Sequence, residues 1–133
     1  MTLVEKFHRI EGTLARKHGG FSLFGLFERS DMIGKWDIVA AAPWLGTDRA
    51  AITQIAEAVV PEIASEEWSR ITHIVPLRPT DEFVRDIGLL YPTEHGMRHI
   101  PSIVLSGIAI NRGVIITANP EAARVAETAP VAA

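Results

Sequence analysis

Cysteine is absent from this chain of 133 residues. Its absence excludes a structural disulfide, a cysteine-ligated zinc ion, an iron–sulfur cluster and a cysteine nucleophile. A strong charge of either sign is also missing, because 13 Lys and Arg side chains stand against 16 Asp and Glu side chains. The arginines are spread from Arg9 to Arg124 rather than clustered. Since affinity for nucleic acids depends on clustered basic side chains, we expect no nucleic-acid partner.

Long hydrophobic runs are missing as well. The apolar run Ile103–Ile110 contains Ser106 and Gly107, and it falls short of the roughly 18 residues that a membrane helix needs. Near the N-terminus, Glu5 and Glu11 interrupt the apolar residues, so the hydrophobic region of a secretory signal is not present. We therefore expect a cytoplasmic protein that does not span a membrane.

Apolar side chains are nevertheless plentiful enough to build a core. Hydrophobic residues make up 47% of the chain, which excludes general disorder. The length is that of one domain, and we predict a single globular mixed α/β domain over residues 1–119. Residues 120–133 have little apolar surface with which to dock, so we predict a weakly ordered C-terminal tail or a short helix there.

Hydrophobic periodicity predicts the main elements. Residues 3–14 carry an apolar stripe at helical spacing and predict a first helix. Residues 21–28 are apolar on both faces of a strand, which is typical of a strand inside a sheet. Near the C-terminus, two β-branched runs flank residues 111–113. We interpret Asn111-Arg112-Gly113 as a hairpin turn, with Gly113 in a left-handed conformation.

These signals predict the element order α-β-β-α-β-α-β-β. Strands joined by helices should run parallel, whereas strands joined by short turns should run antiparallel. The predicted fold class is therefore α/β (mixed α+β), with a single mixed sheet of about five strands and helices packed on the sheet. If the doubly apolar first strand lies centrally, helices must cover both faces.

One acidic side chain of the predicted second strand suggests chemistry. Asp37 alternates with Val39 and Ala41, and a carboxylate on an apolar face must be paired or protonated. One hypothesis is a metal-binding or proton-transferring carboxylate, with Glu28 across the hairpin as a second ligand and Lys35 as an electrostatic helper in phosphoester cleavage. The alternative is a strand-end carboxylate that accepts hydrogen bonds from loop amides or from an arginine.

Two histidines, His95 and His99, stand four residues apart beside Glu94. On a helix that spacing would place both imidazoles on one face, where they could hold a divalent ion. Gly96 and Pro101 argue against a helix, and the alternative is a polar loop facing solvent. We expect no cofactor.

Two tryptophans flank the predicted second strand. Trp36 and Trp44 could border an apolar pocket in a small-ligand-binding sensor domain. Trp44 lies in the loop that leads from this strand to the next helix, where α/β proteins often bind ligands. The alternative for Trp44 is a hydrophobic lid over the seam between helix and sheet.

No complete catalytic motif occurs, since both the Gly-x-Ser-x-Gly elbow and the Gly-x-Gly-x-x-Gly fingerprint are missing. The leading hypothesis is a small non-catalytic interaction or accessory protein that acts as a homo-oligomer. A homodimer could share the Ile- and Val-rich last hairpin, or a protein partner could cover it. The alternatives are a metal-dependent phosphoesterase or nuclease that uses Asp37 and Glu28, and a small-ligand sensor.

Overall fold

A mixed β-sheet of six strands forms the centre of the molecule. The computed structural model describes residues 1–119, so the prediction for residues 120–133 lies outside the described residues. The strands are β1 (Leu23–Arg29), β2 (Trp36–Ala41), β3 (Ile71–Leu77), β4 (Arg98–Ile100), β5 (Ile103–Leu105) and β6 (Ile108–Ala118). Their order is β3-β2-β1-β6-β4, and β5 also pairs with β6. Only the β2–β3 pairing is parallel among them.

The helices occupy the positions between these strands. They are α1 (Leu3–His18), α2 (Arg49–Val59), α3 (Ser65–Trp68) and α4 (Glu82–Leu90), and a 3-10 turn, Val60–Glu62, follows α2. The mixed α/β class with a single sheet and packed helices is confirmed. The sheet has one strand more than predicted because the short segment Arg98–Ile100 joins its edge. None of the helices within residues 1–119 is long and apolar enough to cross a bilayer.

Strand β1 is the central strand and is buried on both faces. Phe24 and Leu26 pack with α1 and α2, whereas Leu23 and Phe27 pack with α4. All four side chains are almost completely buried. The doubly apolar pattern of this segment is thus explained by helices on both faces, as expected for a strand inside the sheet.

The two faces are covered unequally. Helices α1 and α2 share one face, which we call the α1 face, while α4 packs on the other, which we call the α4 face. Helix α4 has nine residues, so it is only about 14 Å long and about 10 Å wide. Five strands side by side span about 20 Å. One such helix cannot cover the whole sheet, and part of the α4 face stays open.

The predicted turn at residues 111–113 is wrong. The last hairpin turns at Ser106 and Gly107, which both have positive φ values, 51° and 77°, as a two-residue hairpin turn requires. Strand β6 instead continues through residues 111–113. Gly113 lies within this strand, where a larger residue would not fit. An added Cβ would come within 2.9 Å of Ile100 Cγ1 and 3.0 Å of Phe27 Cδ1. The glycine serves close packing rather than a turn.

Candidate ligand-binding site

Asp37 lies on the α4 face beside a cation and an imidazole. Its Oδ2 is 3.1 Å from Arg29 Nε, and its Oδ1 is 3.3 Å from His73 Nδ1. The register explains this grouping, because Asp37 pairs with Phe27 on one side and with His73 on the other. Arg29 follows Phe27 by two residues and therefore faces the same way. The side chain of Asp37 is only 11% exposed. Its charge is therefore compensated mainly by these neighbouring groups and not by water.

A pocket of about 400 Å³ opens beside this cluster. Its walls are mainly apolar and come from four neighbouring strands and the start of α4. The lining residues are Phe27, Arg29, Asp37, Val39, Val75, Leu77, Asp81, Glu82, Phe83, Ser106, Ile108 and Ile110. The pocket occupies the part of the sheet that α4 leaves uncovered. Its size and apolar lining, with a few polar groups, are typical of small-molecule sites.

Arg29 is one of the polar residues of this site that the sequence did not predict. The ion pair with Asp37 does not have the angle of a hydrogen bond, and the buried Nε–H of Arg29 has no hydrogen-bond partner among residues 1–119. A buried donor without a partner is rare in proteins and costly. The signal in the sequence was the alternation of Arg29 with Phe27 at the end of an otherwise apolar strand.

Glu28, the proposed second ligand, lies on the opposite face of the sheet from Asp37. Adjacent residues of a strand point to opposite faces, and Glu28 follows Phe27, the strand partner of Asp37. Its carboxylate accepts hydrogen bonds from Asn111, from Gly34 N at 3.1 Å and from Arg112 Nε at 3.2 Å. The structure therefore does not bring Glu28 and Asp37 together around one ion.

The pKa of Glu28 lies below its ordinary value. The hydrogen bond from Asn111 is the largest cause, and those from Gly34 and Arg112 add to it. Burial acts in the opposite direction but does not cancel them. Glu28 is only 2% exposed, so this carboxylate is a fully compensated buried anion that joins β1 to β6 and to the β1–β2 loop.

Lys35 and the two tryptophans also lie away from the pocket. Lys35 Nζ donates to Ser69 O at 2.6 Å, not to a group near Asp37. Trp36 is buried in the core of the α1 face. Trp44 donates to Gly19 O at 2.8 Å and packs against Phe21, as expected of a lid over the seam between helix and sheet.

The two histidines near residue 97 do not converge. His99 belongs to β4 and pairs with Val114, whereas His95 N bonds to Thr117 Oγ1 at 3.3 Å. The two β6 positions are three residues apart, which is about 10 Å along a strand. Within residues 1–119, no group of three or more His, Asp or Glu side chains has a geometry that could hold a metal ion.

A polar cluster beneath α1 was not predicted. Glu11 is 3% exposed, and its two carboxylate oxygens bond to His95 Nδ1 at 2.7 Å and to Thr117 Oγ1 at 2.5 Å. The ring of His8 lies on that of His95, with 3.8 Å between their centroids. Gly12 makes room for this arrangement, because an added Cβ would lie 3.0 Å from His95 Cε1.

The signal for this cluster was present in the first helix. Glu11 follows Phe7 by four residues and therefore lies within the apolar stripe. His95 has a φ of 45°, a left-handed backbone conformation that residues other than glycine rarely adopt. The cluster holds the loop before β4 against α1, and both carboxylate oxygens of the buried Glu11 are hydrogen-bonded within the protein.

Comparison with known proteins found no family model, no curated protein and no solved structure that matches this chain.

Proposed function

We propose that this protein is a non-catalytic binding domain for a small amphipathic ligand, which occupies the pocket on the α4 face. The observation that carries the proposal is the combination of an open, mainly apolar pocket of about 400 Å³ with a few polar side chains on its wall. Phe27, Val39 and Phe83 would contact the apolar body of the ligand. Burial of such a body contributes roughly 25 cal/mol per Å² removed from water.

The charges around the pocket favour a ligand with an amine or another donor group. Arg29 compensates Asp37 at 3.1 Å, which leaves Asp81 and Glu82 as the excess charges of the lining. Asp81 accepts a hydrogen bond from Phe83 N at 2.9 Å and caps α4. The local potential is therefore negative, and a cationic head group is attracted more strongly than an anionic one.

Displacement of a neutral fluorescent probe tests this function. Nile red should bind to the native protein and be displaced by octylamine at concentrations about tenfold below those needed for octanoate. Val75→Phe fills the pocket and should weaken both probe and amine binding. Val60→Phe adds the same bulk at the exposed end of α2 and is the matched control.

The polar part of the proposal has its own variant. Glu82→Gln removes one of the two excess charges of the lining but keeps the shape of the side chain, so it should reduce the preference for octylamine over octanoate about threefold. The proposal is wrong if native protein does not bind the probe, if Val75→Phe binds as the native protein does, or if octanoate competes as well as octylamine.

We also propose that two copies associate as a homodimer in the cytoplasm, as an accessory protein would. The supporting observation is the edge strand β5, on which Val104 is 67% exposed. A three-residue edge strand with an exposed β-branched side chain can pair antiparallel with its own copy across a two-fold axis. Strand β5 belongs to the Ile- and Val-rich last hairpin, for which the sequence suggests such contact.

Light scattering after size-exclusion chromatography measures this association. The native chain should have the mass of a dimer at high concentration, and Val104→Lys should shift it to the monomer. Val60→Lys alters a side chain of similar exposure, 57%, away from this hairpin, and should leave the dimer intact. A native monomer at all concentrations would contradict the homodimer and leave the ligand proposal unaffected.

A further inference from the structure

A second cavity, of about 420 Å³, lies on the other side of the sheet between the start of α1 and strand β4. Backbone and apolar groups form most of its wall. The lining residues are Thr2, Leu3, Val4, Trp36, Arg70, His99, Ile100, Arg112, Gly113 and Val114. We call it the arginine cavity.

The ionisable side chains that line the arginine cavity are two arginines and a histidine. Arg70, Arg112 and His99 all reach it, and no carboxylate is part of its lining. This composition departs from that of the whole chain, whose formal charge is −3. A concave site lined by cations concentrates field lines and attracts anions.

Nearby carboxylates are already occupied by other groups. Glu5 accepts from Thr2 N at 3.0 Å and caps α1. Glu67 accepts from Lys6 Nζ at 2.5 Å and from Ala64 N at 2.9 Å. The first turn of α1 is thus capped by the protein itself. Because Glu28 compensates Arg112, the excess positive charge of the cavity comes from Arg70.

Arg112 is held in place at the wall of this cavity. Its Nη2 and Nε lie 3.1 and 3.2 Å from Glu28 Oε2, and its guanidinium lies over the ring of Trp36 at 4.7 Å from the centroid. These contacts fix the orientation of the guanidinium before a ligand arrives. A donor that is already oriented loses less conformational entropy on binding.

Arg70 and His99 have no such contacts. Within residues 1–119, neither side chain forms a hydrogen bond or an ion pair with another residue, although Arg70 is near enough to Glu67 to affect its pKa. Both side chains nevertheless line the same cavity as Arg112. Their donors are therefore free to bind an anion.

We propose that the arginine cavity binds a small ligand through its phosphate group. A phosphate dianion has three acceptor oxygens, and guanidinium groups match phosphate with paired hydrogen bonds. The volume of about 420 Å³ leaves room beside the phosphate for a small organic group. This site is on the face opposite the pocket of the proposed function and does not depend on it.

Calorimetric titration at constant ionic strength tests the proposal on the full-length protein. Inorganic phosphate should bind saturably with a Kd of about 1 mM, and acetate, which has one charge and two oxygens, should bind about tenfold more weakly. A small phosphomonoester such as glycerol phosphate should bind at least as tightly as inorganic phosphate if the organic group is accommodated. Weaker binding of the ester would show that the site takes free phosphate and would contradict a phosphate-bearing organic ligand.

Three glutamine variants distinguish binding at a defined site from general attraction of phosphate to a charged protein. Arg70→Gln and His99→Gln should each weaken phosphate binding about fivefold to tenfold. Arg49→Gln removes an exposed arginine outside the lining and should leave it unchanged. Because the side chains of Arg70 and His99 form no hydrogen bond within residues 1–119, both variants should melt at the native temperature.

Two further results would overturn the proposal. One is the absence of saturable phosphate binding by the native protein up to about 20 mM. The other is equal weakening by all three variants, which indicates attraction by net charge alone. A further measurement needs no variant. As phosphate is added, the imidazole NMR signals of His99 should shift along the saturation curve measured by calorimetry, whereas those of His73 should not shift.

Discussion

Glu28 is a buried anion, and its environment makes the stability of the fold depend on pH. Hydrogen bonds from Asn111, Gly34 and Arg112 lower its pKa in the folded state. A group whose folded pKa is below its unfolded pKa adds stability above the unfolded value. That contribution is lost as the pH falls through the folded value. Glu28 should therefore stabilise the native state at neutral pH and lose this effect in acid.

We expect Glu28→Gln to lower the free energy of unfolding by about 2 kcal/mol at pH 7. The difference from the native protein should stay constant from pH 7 to about 5 and shrink as the pH falls further, through the lowered folded pKa. Urea denaturation at several pH values measures both quantities. Glu57→Gln removes an exposed charge from α2 and is the control. A difference that is constant with pH would show that the lowered pKa does not contribute.

Gly113 is a second residue whose role comes from packing. A Cβ at this position would meet the side chains of Ile100 and Phe27 at 3.0 Å or less, and both side chains are buried. Gly113→Ala should therefore lower the free energy of unfolding by about 2 kcal/mol. Gly20→Ala is the matched control, because an added Cβ there has no neighbour within 4 Å. Equal effects of the two substitutions would contradict the packing role.

Single residues of the site were predictable only where the alternation pattern along their own strand made them unusual. Asp37 stood out because it alternates with apolar residues. Its partners did not, because Arg29 and His73 meet it through the registers of β1–β2 and β2–β3. Glu28 was assigned to the same ion by its nearness across the hairpin, yet the alternation of side chains along β1 places it on the other face.

At the scale of elements, the loop before β4 is joined to α1 by Glu11 and His95. Their bond of 2.7 Å is largely shielded from solvent on the side of Glu11, which is 3% exposed. A double-mutant cycle with Glu11→Gln and His95→Asn should give a coupling free energy of about 1–2 kcal/mol. Asn is chosen because it tolerates the positive φ of this position.

The ion pair between Arg9 and Glu62 provides a comparison for this coupling. It also joins α1 to another element, at 2.6 Å, but its side chains are 51% and 38% exposed. Its coupling free energy should be below about 0.5 kcal/mol, as is usual for surface pairs. If both cycles give the same value, the burial of Glu11 does not strengthen its bond.

Elements with a strong periodic pattern were predictable, and elements defined by their neighbours were not. Helix α1 and strand β1 follow directly from their apolar spacing. Strand β4 has three residues, two of them exposed, and it exists because it pairs with the edge of β6 that faces away from β1. The turn at Ser106 and Gly107 was missed because Asn111-Arg112-Gly113 has the stronger turn composition, although bonds to Glu28 and close packing keep it within β6.

At the scale of the whole molecule, two apolar cores are separated by one sheet. Ile55 of α2 lies in the core of the α1 face, and Ile87 of α4 lies in the core of the α4 face. Both are fully buried. Because β1 contributes side chains to both cores, we expect the loss of either core to unfold the shared sheet, so the chain should unfold in one cooperative transition.

The matched substitutions Ile55→Ala and Ile87→Ala test this cooperativity. Each should lower the free energy of unfolding by about 3 kcal/mol, and the two effects should add in the double variant because they act on separate cores. Two of the three tryptophans, Trp36 and Trp44, belong to the α1 face, and Trp68 follows Glu67, which bonds to Lys6 of α1. Tryptophan fluorescence therefore reports that side of the sheet, while circular dichroism reports the whole fold. Ile87→Ala should shift the fluorescence and circular dichroism midpoints equally, although it lies on the face without these tryptophans. If only the circular dichroism transition shifted or split in two, the faces would unfold separately, and a single cooperative domain over residues 1–119 would be wrong.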